Sequence, residues 1–408
     1  MHIINKIKKL FHKNYFFSLK KIDVLLTHQD ADCAFVYNSK KYPPHIGSFI
    51  YHLEKRKLKW LVINSPSATI YGDAHFFNAY AFNLGMAITR YASALLLACK
   101  MRNLSYFVKS IYWLVILTIT KPSLIVGIQP HPGLCIAGRM KKIPVFDLQH
   151  GVINECNEWY GSKVAHQPKE LFPTGFLCWD DISANYLNKW GGDKGLTAIV
   201  IGHLWNDRFV NTEEADELVL SLKERCLLKK NKASILVSLQ WGLNLYYPES
   251  ELWVMPEGLV SLIKETSNSY NWLLRLHPIQ MNYVGYNPVI AFLKDNFVGL
   301  DNVTWDVASE LPLTLVLSQV DAHITDMSST VIEAGYLGVP SALMNPECDK
   351  DGSLEKIFHH EIENGIASYI GHEKEHLKFW LENVINSNKH HITTSVCNVD
   401  SFLSDYYE

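Results

Sequence analysis

The 408-residue sequence has no G-x-x-x-x-G-K-[ST] phosphate loop, no G-x-G-x-x-G after its first predicted strand and no G-x-S-x-G elbow. These absences set aside a nucleoside triphosphatase, a dinucleotide-dependent dehydrogenase and a serine hydrolase, each of which presents its backbone or nucleophile through that turn. The eight cysteines contain no C-x-x-C pair and no grouping with histidine at zinc-site spacing, so they read as reduced thiols of a cytoplasmic protein. No long apolar segment with a small-residue cleavage site opens the chain, which speaks against secretion. The longest apolar run, 111–119, falls short of the about 20 residues a membrane span needs. A formal net charge of -3 provides no basic field, so no nucleic-acid partner is expected. The chain also lacks internal repeats and low-complexity tracts.

What is present is a globular composition, 48% hydrophobic and 19% charged, over a length that suits two domains with separate cores. The first 21 residues stand apart, with Lys6, Lys8, Lys9, Lys13, Lys20 and Lys21 and no acid. Ile3, Ile7, Leu10 and Phe11 fall at helical spacing, giving an amphipathic helix with two readings: one packed on its domain, and one lying on an anionic membrane surface as a peripheral contact. Localisation follows as cytoplasmic, with the inner face of the cell membrane as the second reading.

From residue 22 short β-branched runs alternate with helical patterns, the signature of parallel sheets built from β-α-β units. Strands are expected at 23–27, 60–64, 124–128, 144–148, 174–178 and 198–201, with helices over 45–57 and about 78–119. A charged helical stretch over about 213–232 precedes a second series of strands at 234–239, 272–276, 303–305, 322–324 and 341–343. The expected architecture is α/β, with two Rossmann-like doubly wound lobes facing a cleft. Boundaries fall at 1–205 for an acceptor-binding domain and 206–375 for a nucleotide-donor-binding domain, with a helical segment over 376–408 returning to the first lobe. Ligand loops of such sheets sit at the carboxyl ends of the strands.

The most specific segment is Ala322 to Pro340, where a strand runs through Asp326-Met-Ser328-Ser329-Thr330 into a helix closed by Gly335, Gly338 and Pro340. Thr330 and Glu333 fit a T-x-x-E capping box, and a hydroxyl-rich helix start suits a phosphate. The segment resembles the D-x-S-S-x-x-x-E-A-x-x-x-G-x-P pattern in the donor lobe of GT-B enzymes. About fifty residues earlier, Trp272 to Pro278 ends a strand in Arg275, His277 and Pro278. R-x-H-P before the S-S turn resembles bacterial sialyl- and polysialyltransferases, the Kdo transferases of capsule and lipopolysaccharide synthesis, and CDP-glycerol glycerophosphotransferases of teichoic acid assembly. The resemblance implies that His277, Ser328 and Ser329 contact the donor phosphate, with Thr330 and Glu333 shaping that turn. Arg275 has two readings, a phosphate contact and an ion pair with a nearby carboxylate. Gln240 and Gly242, after the first strand of the second lobe, are expected to face the donor, or to serve the turn alone.

In the first lobe, Val145 to Asn154 (VFDLQHGVIN) places His150 before a glycine turn. It resembles the Q-H-G and W-H-G turns of capsule and teichoic acid transferases, and a neutral imidazole there can take the acceptor hydroxyl's proton. Sialyltransferases carry an acidic pair before this glycine where the chain has Gln149-His150, so Glu155 stands as the alternative base. His131 in Q-P-H-P-G reads as a loop histidine. Asp30-Ala-Asp32 spells D-x-D, a cheap motif that Asp349-Lys-Asp351 repeats, and no catalytic metal or other cofactor is expected. The resulting expectation is a GT-B glycosyltransferase taking a nucleotide-sugar, a CMP-sugar in the favoured form, to a saccharide or lipid-linked acceptor of a bacterial surface polysaccharide. Two alternatives share its elements: CDP-polyol phosphotransfer, and nucleotide-sugar 2-epimerisation, whose enzymes carry paired glycines where this chain has Ser329-Thr330.

Overall fold

Runs of Val, Ile and Leu flanked by Gly, Pro and Asn become strands here because branched side chains pack on a pleated surface and the flanking residues end the ladder. The computed structural model describes residues 19–28, 35–64, 83–155, 157, 160–225, 232–249, 252–281, 287–387 and 397–407. The first half holds β1 (Val24–His28), β2 (Phe35–Tyr37), β3 (Lys40–Tyr42), β4 (Trp60–Asn64), β5 (Leu124–Gly127), β6 (Val145–Leu148), β7 (Gly175–Cys178) and β8 (Thr197–Val200). The second half holds β9 (Ser234–Ser238), β10 (Asn271–Arg275), β11 (Val303–Thr304), β12 (Ala322–Thr325), β13 (Ser341–Leu343) and β14 (Ala367–Tyr369). Two six-stranded sheets result, ordered β4-β1-β5-β6-β7-β8 and β11-β10-β9-β12-β13-β14. Every ladder in both is parallel. The second sheet follows the doubly wound order 3-2-1-4-5-6 counted within its own strands. The β2–β3 hairpin and β14 were not expected, since strands of three residues are too short to show a period.

Both faces of the first sheet are covered, as parallel sheets require. Val24 and Leu26 of β1 point into a core with Phe49, Ile50 and Leu53 of the helix Pro44–Lys55, and with Val399, Phe402 and Leu403 near the C-terminus. Leu25 points the other way, among Trp113, Ile116, Leu117 and Leu134. The expected helix over 78–119 is instead two helices, Asn83–Ala98 and Arg102–Thr120, and 78–82 lie outside the described residues. A left-handed Lys100 (φ 61°) turns the chain between them, and Ser93 and Ser105 join them through hydroxyl groups 2.8 Å apart. By length and composition Arg102–Thr120 is long and apolar enough to cross a membrane, with 39% of the apolar stretch buried in the fold. This corrects the reading of 111–119 as too short: the run is extended at its N-terminal side by the weaker apolar stretch from Leu104.

The chain forms two compact units, one of Met1–Trp205 with Ser395–Glu408 and a second of Asn206–Thr394. The terminal return is therefore shorter than the expected 376–408. The helix Lys374–Ser387 stays with the second unit because Leu377, Trp380 and Leu381, at helical spacing, enter its core, and Lys374 and Lys378 both reach Glu265 on the helix Glu257–Thr266. The segment that does return carries Asp400, held by Arg56, and Tyr407, whose hydroxyl donates to the Asp23 carbonyl. Within 213–232 only Glu217–Lys223 is helical among the described residues, capped by Asp216, which also pairs with the buried Arg208 at 2.6 Å.

Candidate functional site

In the second unit β10, β9 and β12 are adjacent, so the turns after them share one carboxyl edge. His277 follows β10, and its Nδ1 accepts the Ile279 backbone N–H at 3.2 Å. A neutral imidazole holds one proton, so an accepting Nδ1 puts that proton on Nε2. Burial, and secondarily the charge of Arg275, keeps the pKa of His277 below its ordinary value. The ring is thus a neutral donor, and Gln280 steadies its backbone by accepting the His277 N–H at 2.8 Å.

Arg275 turns away to another task. Its Nη1 donates to the carbonyls of Ala308 and Leu311 at the end of the helix Asp306–Glu310. Burial lowers its pKa to about 10, against the opposing pull of the Glu333 carboxylate. Of the two readings of Arg275, the neighbourly carboxylate is present in Glu333, and the guanidinium ties β10 to a helix C-terminus, where a cation also complements the dipole.

Gln240 joins the turns that motif reading named separately. Its carbonyl accepts from Gln280 Nε2 at 2.9 Å, and its Oε1 accepts the Met327 N–H at 2.6 Å. Gln240 therefore has a positioning role, its side-chain oxygen being held by the serine turn. Gly242 has φ 83° with open space around the position of a Cβ, so it supplies the left-handed turn after the exposed Trp241.

The serine turn follows β12. The capping box does not form: the helix Thr330–Tyr336 begins at Thr330 with Ser329 as its N-cap, and Ser329 makes no capping hydrogen bond. Thr330 Oγ1 lies instead 3.2 Å from Nε2 of the buried His323, and Ser328 Oγ accepts the Thr330 N–H at 3.3 Å. His323 also contacts Ser238 and Ser341 hydroxyls, each at 2.9 Å, and burial holds its pKa down to about 3. Thr330 is therefore held inward, and Ser329 is exposed. Gly338 (φ 73°) closes the helix, where Val339 N–H reaches back to the Ala334 carbonyl at 2.9 Å.

A cluster absent from the motif reading surrounds Asp326. Its carboxylate accepts from the Tyr247 hydroxyl at 3.0 Å and Asn345 Nδ2 at 2.6 Å. The Tyr247 oxygen lies 3.1 Å from His372 Nε2, and the Tyr247 and Trp253 rings stack with centroids 3.8 Å apart. Burial raises the pKa of Asp326, with the Asn345 and Tyr247 hydrogen bonds opposing. The only sequence signal for this group was Asp326 itself, in the D-x-S-S pattern.

In the first unit the carboxyl edge gathers imidazoles from several elements. His150 follows β6 and lies 3.1 Å from Gln129 Nε2 and 3.1 Å from the Tyr160 hydroxyl. An amide nitrogen only donates, so His150 Nε2 accepts, Nδ1–H donates to Tyr160, and Tyr160 donates onward to Asp147 Oδ1 at 3.4 Å. Burial takes the pKa of His150 down to about 4, offset in part by a backbone hydrogen bond to Leu148. Its neighbour Gln149 is buried and used by Trp179, Gly151 and Ser183. His131 is the N-cap of the helix Pro132–Lys141, its Nδ1 accepting the Gly133 N–H at 3.1 Å. His45 and His203, whose rings lie 5.5 Å apart and both contact Trp179, complete the edge, and His45 is held well below its ordinary pKa by burial and by its histidine neighbours. Glu155 is exposed. Asp30 and Asp32 lie outside the described residues, as do 1–18 of the cationic N-terminus.

No protein-family model and no curated protein sequence matches the chain. Solved structures do. UDP-GlcNAc 2-epimerase from Neisseria meningitidis aligns over 94% of this chain and 99% of its own, with TM-score 0.59 at 13% identity. The UDP-GlcNAc 2-epimerase of Methanocaldococcus jannaschii gives 94%, 99%, 0.58 and 13%. Wall teichoic acid polymerase TagF aligns over 99% of this chain and 90% of its own, with TM-score 0.56 at 14% identity. The fold is of the GT-B type. At such identities the likeness speaks for the α/β architecture with its two parallel sheets, and GT-B folds of this kind serve epimerases as well as polymer-forming transferases.

Proposed function

We propose that this GT-B chain is a metal-independent glycosyltransferase of bacterial surface-polymer assembly, working at the cytoplasmic side of the membrane. It takes a sugar from a nucleotide donor, a CMP-sugar in the favoured form, to a saccharide or lipid-linked acceptor. The observation that carries this reading is the tautomer of His277: a neutral ring obliged to present Nε2–H, on the same sheet edge as the Ser328–Ser329 turn. A donor fixed in advance stabilises the charge that grows on a leaving phosphate without reorganising at the moment of reaction.

In the first unit His150 has the complementary property, a neutral imidazole whose Nε2 lone pair is directed by the Tyr160–Asp147 relay. When the acceptor displaces the Gln129 amide, the acceptor hydroxyl gives its proton to Nε2 as its oxygen bonds to the anomeric carbon. The bond from that carbon to the phosphate oxygen breaks, and the leaving phosphate keeps the electron pair; taken by itself, the second unit supplies the groups suited to hold such a phosphate, His277 and the serine hydroxyls. Glu155 serves less well, because its carboxylate is exposed and none of the described residues orients it.

The likeness to TagF along nearly the whole chain favours a second reading, polyol-phosphate transfer, in which the acceptor oxygen attacks phosphorus and a nucleoside phosphate leaves. Incubation with CMP-, CDP-, UDP- and GDP-linked donors, with and without oligosaccharide or glycerophosphate acceptors, separates the readings. Acceptor-dependent glycosyl product supports the proposal, and acceptor-dependent phosphodiester product supports the second reading. Epimerised donor without any acceptor contradicts both.

A further inference from the structure

The helix Arg102–Thr120 buries one side, with Tyr112, Trp113, Ile116 and Leu117 in the core, and leaves Leu104, Phe107, Ile111 and Val115 exposed. Those positions are spaced by three, four and four, a single stripe along the helix. Between this stripe and the helix Pro132–Lys141 runs an open apolar groove of about 720 Å³, lined by Phe107, Ile111, Val115, Ile119 and Met140, with Met140 itself exposed. The preceding helix adds exposed Ile88, Tyr91 and Leu95. Scattered apolar side chains on a surface need no explanation, whereas a continuous stripe beside an apolar groove does.

The charge around it identifies the covering phase. From Asp73 to Asp147 no acidic residue intervenes, while Arg90, Lys100, Arg102, Lys109, Lys121, Arg139, Lys141 and Lys142 all fall in that interval. Arg90, Lys100, Arg102, Lys121, Lys141 and Lys142 are exposed. A protein partner would be matched by mixed charge around the groove; the cations that this acid-free stretch of chain supplies around an apolar stripe match an anionic bilayer, where lysines sit at headgroup level and apolar side chains enter the acyl boundary. We propose that the exposed face of the helix Arg102–Thr120, with Met140 and the surrounding cations, seats the first unit on an anionic lipid surface. The helix lies along that surface and does not cross it, because Trp113, Ile116 and Leu117 remain in the core of the unit.

The test is co-sedimentation of the full chain with phosphatidylglycerol-containing vesicles and with pure phosphatidylcholine vesicles. Binding is expected to the anionic vesicles, to weaken with salt, and to be reversed by alkaline carbonate. The combined Phe107→Glu, Ile111→Glu, Val115→Glu variant is expected to lose at least about tenfold in partitioning with unchanged thermal unfolding, and the Lys121→Ala, Lys141→Ala, Lys142→Ala variant to lose the preference for anionic lipid. Unchanged binding by the first variant overturns the proposal. So does carbonate-resistant insertion, which would make the helix a span, and so does a dimer in light scattering that the same three glutamates dissociate.

Discussion

Gln240 Oε1 accepts the Met327 N–H at 2.6 Å while its own backbone carbonyl receives Gln280 Nε2, so one residue after β9 holds both the histidine turn and the serine turn. Replacing it with leucine leaves the Met327 amide without that partner, at a cost of about 1–3 kcal/mol. Because Gln240 acts through the turns, Gln240→Leu is expected to raise KM for the donor more than it lowers kcat. An unchanged KM would show that the serine turn holds its shape unaided.

His277→Ala is expected to lower turnover by the equivalent of about 2.7–4 kcal/mol, as for loss of a fixed donor to developing charge. Since the ring works as a neutral Nε2–H donor, His277→Gln, whose side-chain amide also donates, is expected to recover part of the loss. Equal inactivity of the two variants with intact folding would point to a role needing a protonated ring.

The pH–rate profile tests the base. An imidazole whose pKa burial has lowered to about 4 stays unprotonated down to that pH, so the acidic limb belongs near 4 and not at the ordinary histidine value. His150→Asn is expected to cost on the order of 10²–10⁴ in the chemical step and to abolish the limb. Glu155→Gln serves as the comparison: if it removes activity while His150→Asn retains it, the base is the carboxylate.

Acid stability follows from the same burial. His323 and His150 fold neutral, with pKa values lowered to about 3 and about 4, whereas in the unfolded chain each protonates near 6.5. The unfolded state therefore binds more protons below pH 6.5. The stability these groups contribute is complete above that pH and drains away as pH falls toward 4 and 3, by on the order of several kcal/mol together. Asp326, whose pKa is raised, works in the opposite sense. The urea midpoint is expected to drop clearly between pH 7.5 and 4.5, less so in His323→Asn; a flat midpoint contradicts the neutral burial.

Arg275→Met separates the clamp from a phosphate contact. Removing a guanidinium bonded to the carbonyls of Ala308 and Leu311 is expected to destabilise the fold by about 3 kcal/mol, while nucleotide affinity of the folded protein holds. Loss of affinity without loss of stability would return Arg275 to the phosphate.

Much of this architecture was legible because buried parallel strands are short, dense apolar runs bounded by turn residues, as at Leu124 and Ile235. The break at Lys100 was not, since Cys99-Lys100-Met101 holds neither glycine nor proline and the turn depends on packing between Ser93 and Ser105. At the candidate site, His277 and Ser328 were singled out by the resemblance that R-x-H-P and D-x-S-S carry. The Asp326 cluster was not, because its hydrogen bonds join residues 79 and 125 apart in the chain, and the capping box at Thr330 failed because the buried His323 claims the hydroxyl.

The central claim is that the second unit holds a nucleotide phosphate through His277 and the serine turn. Calorimetric titration of CMP, CDP, UDP and GDP in excess EDTA, with wild type and with His277→Ala, tests it most directly. The account predicts metal-free binding of at least one nucleotide to the wild type and roughly tenfold or greater weakening in the variant, a loss of about 1.4 kcal/mol or more. Binding that requires Mg²⁺ or Mn²⁺, or that His277→Ala leaves unchanged, would contradict it.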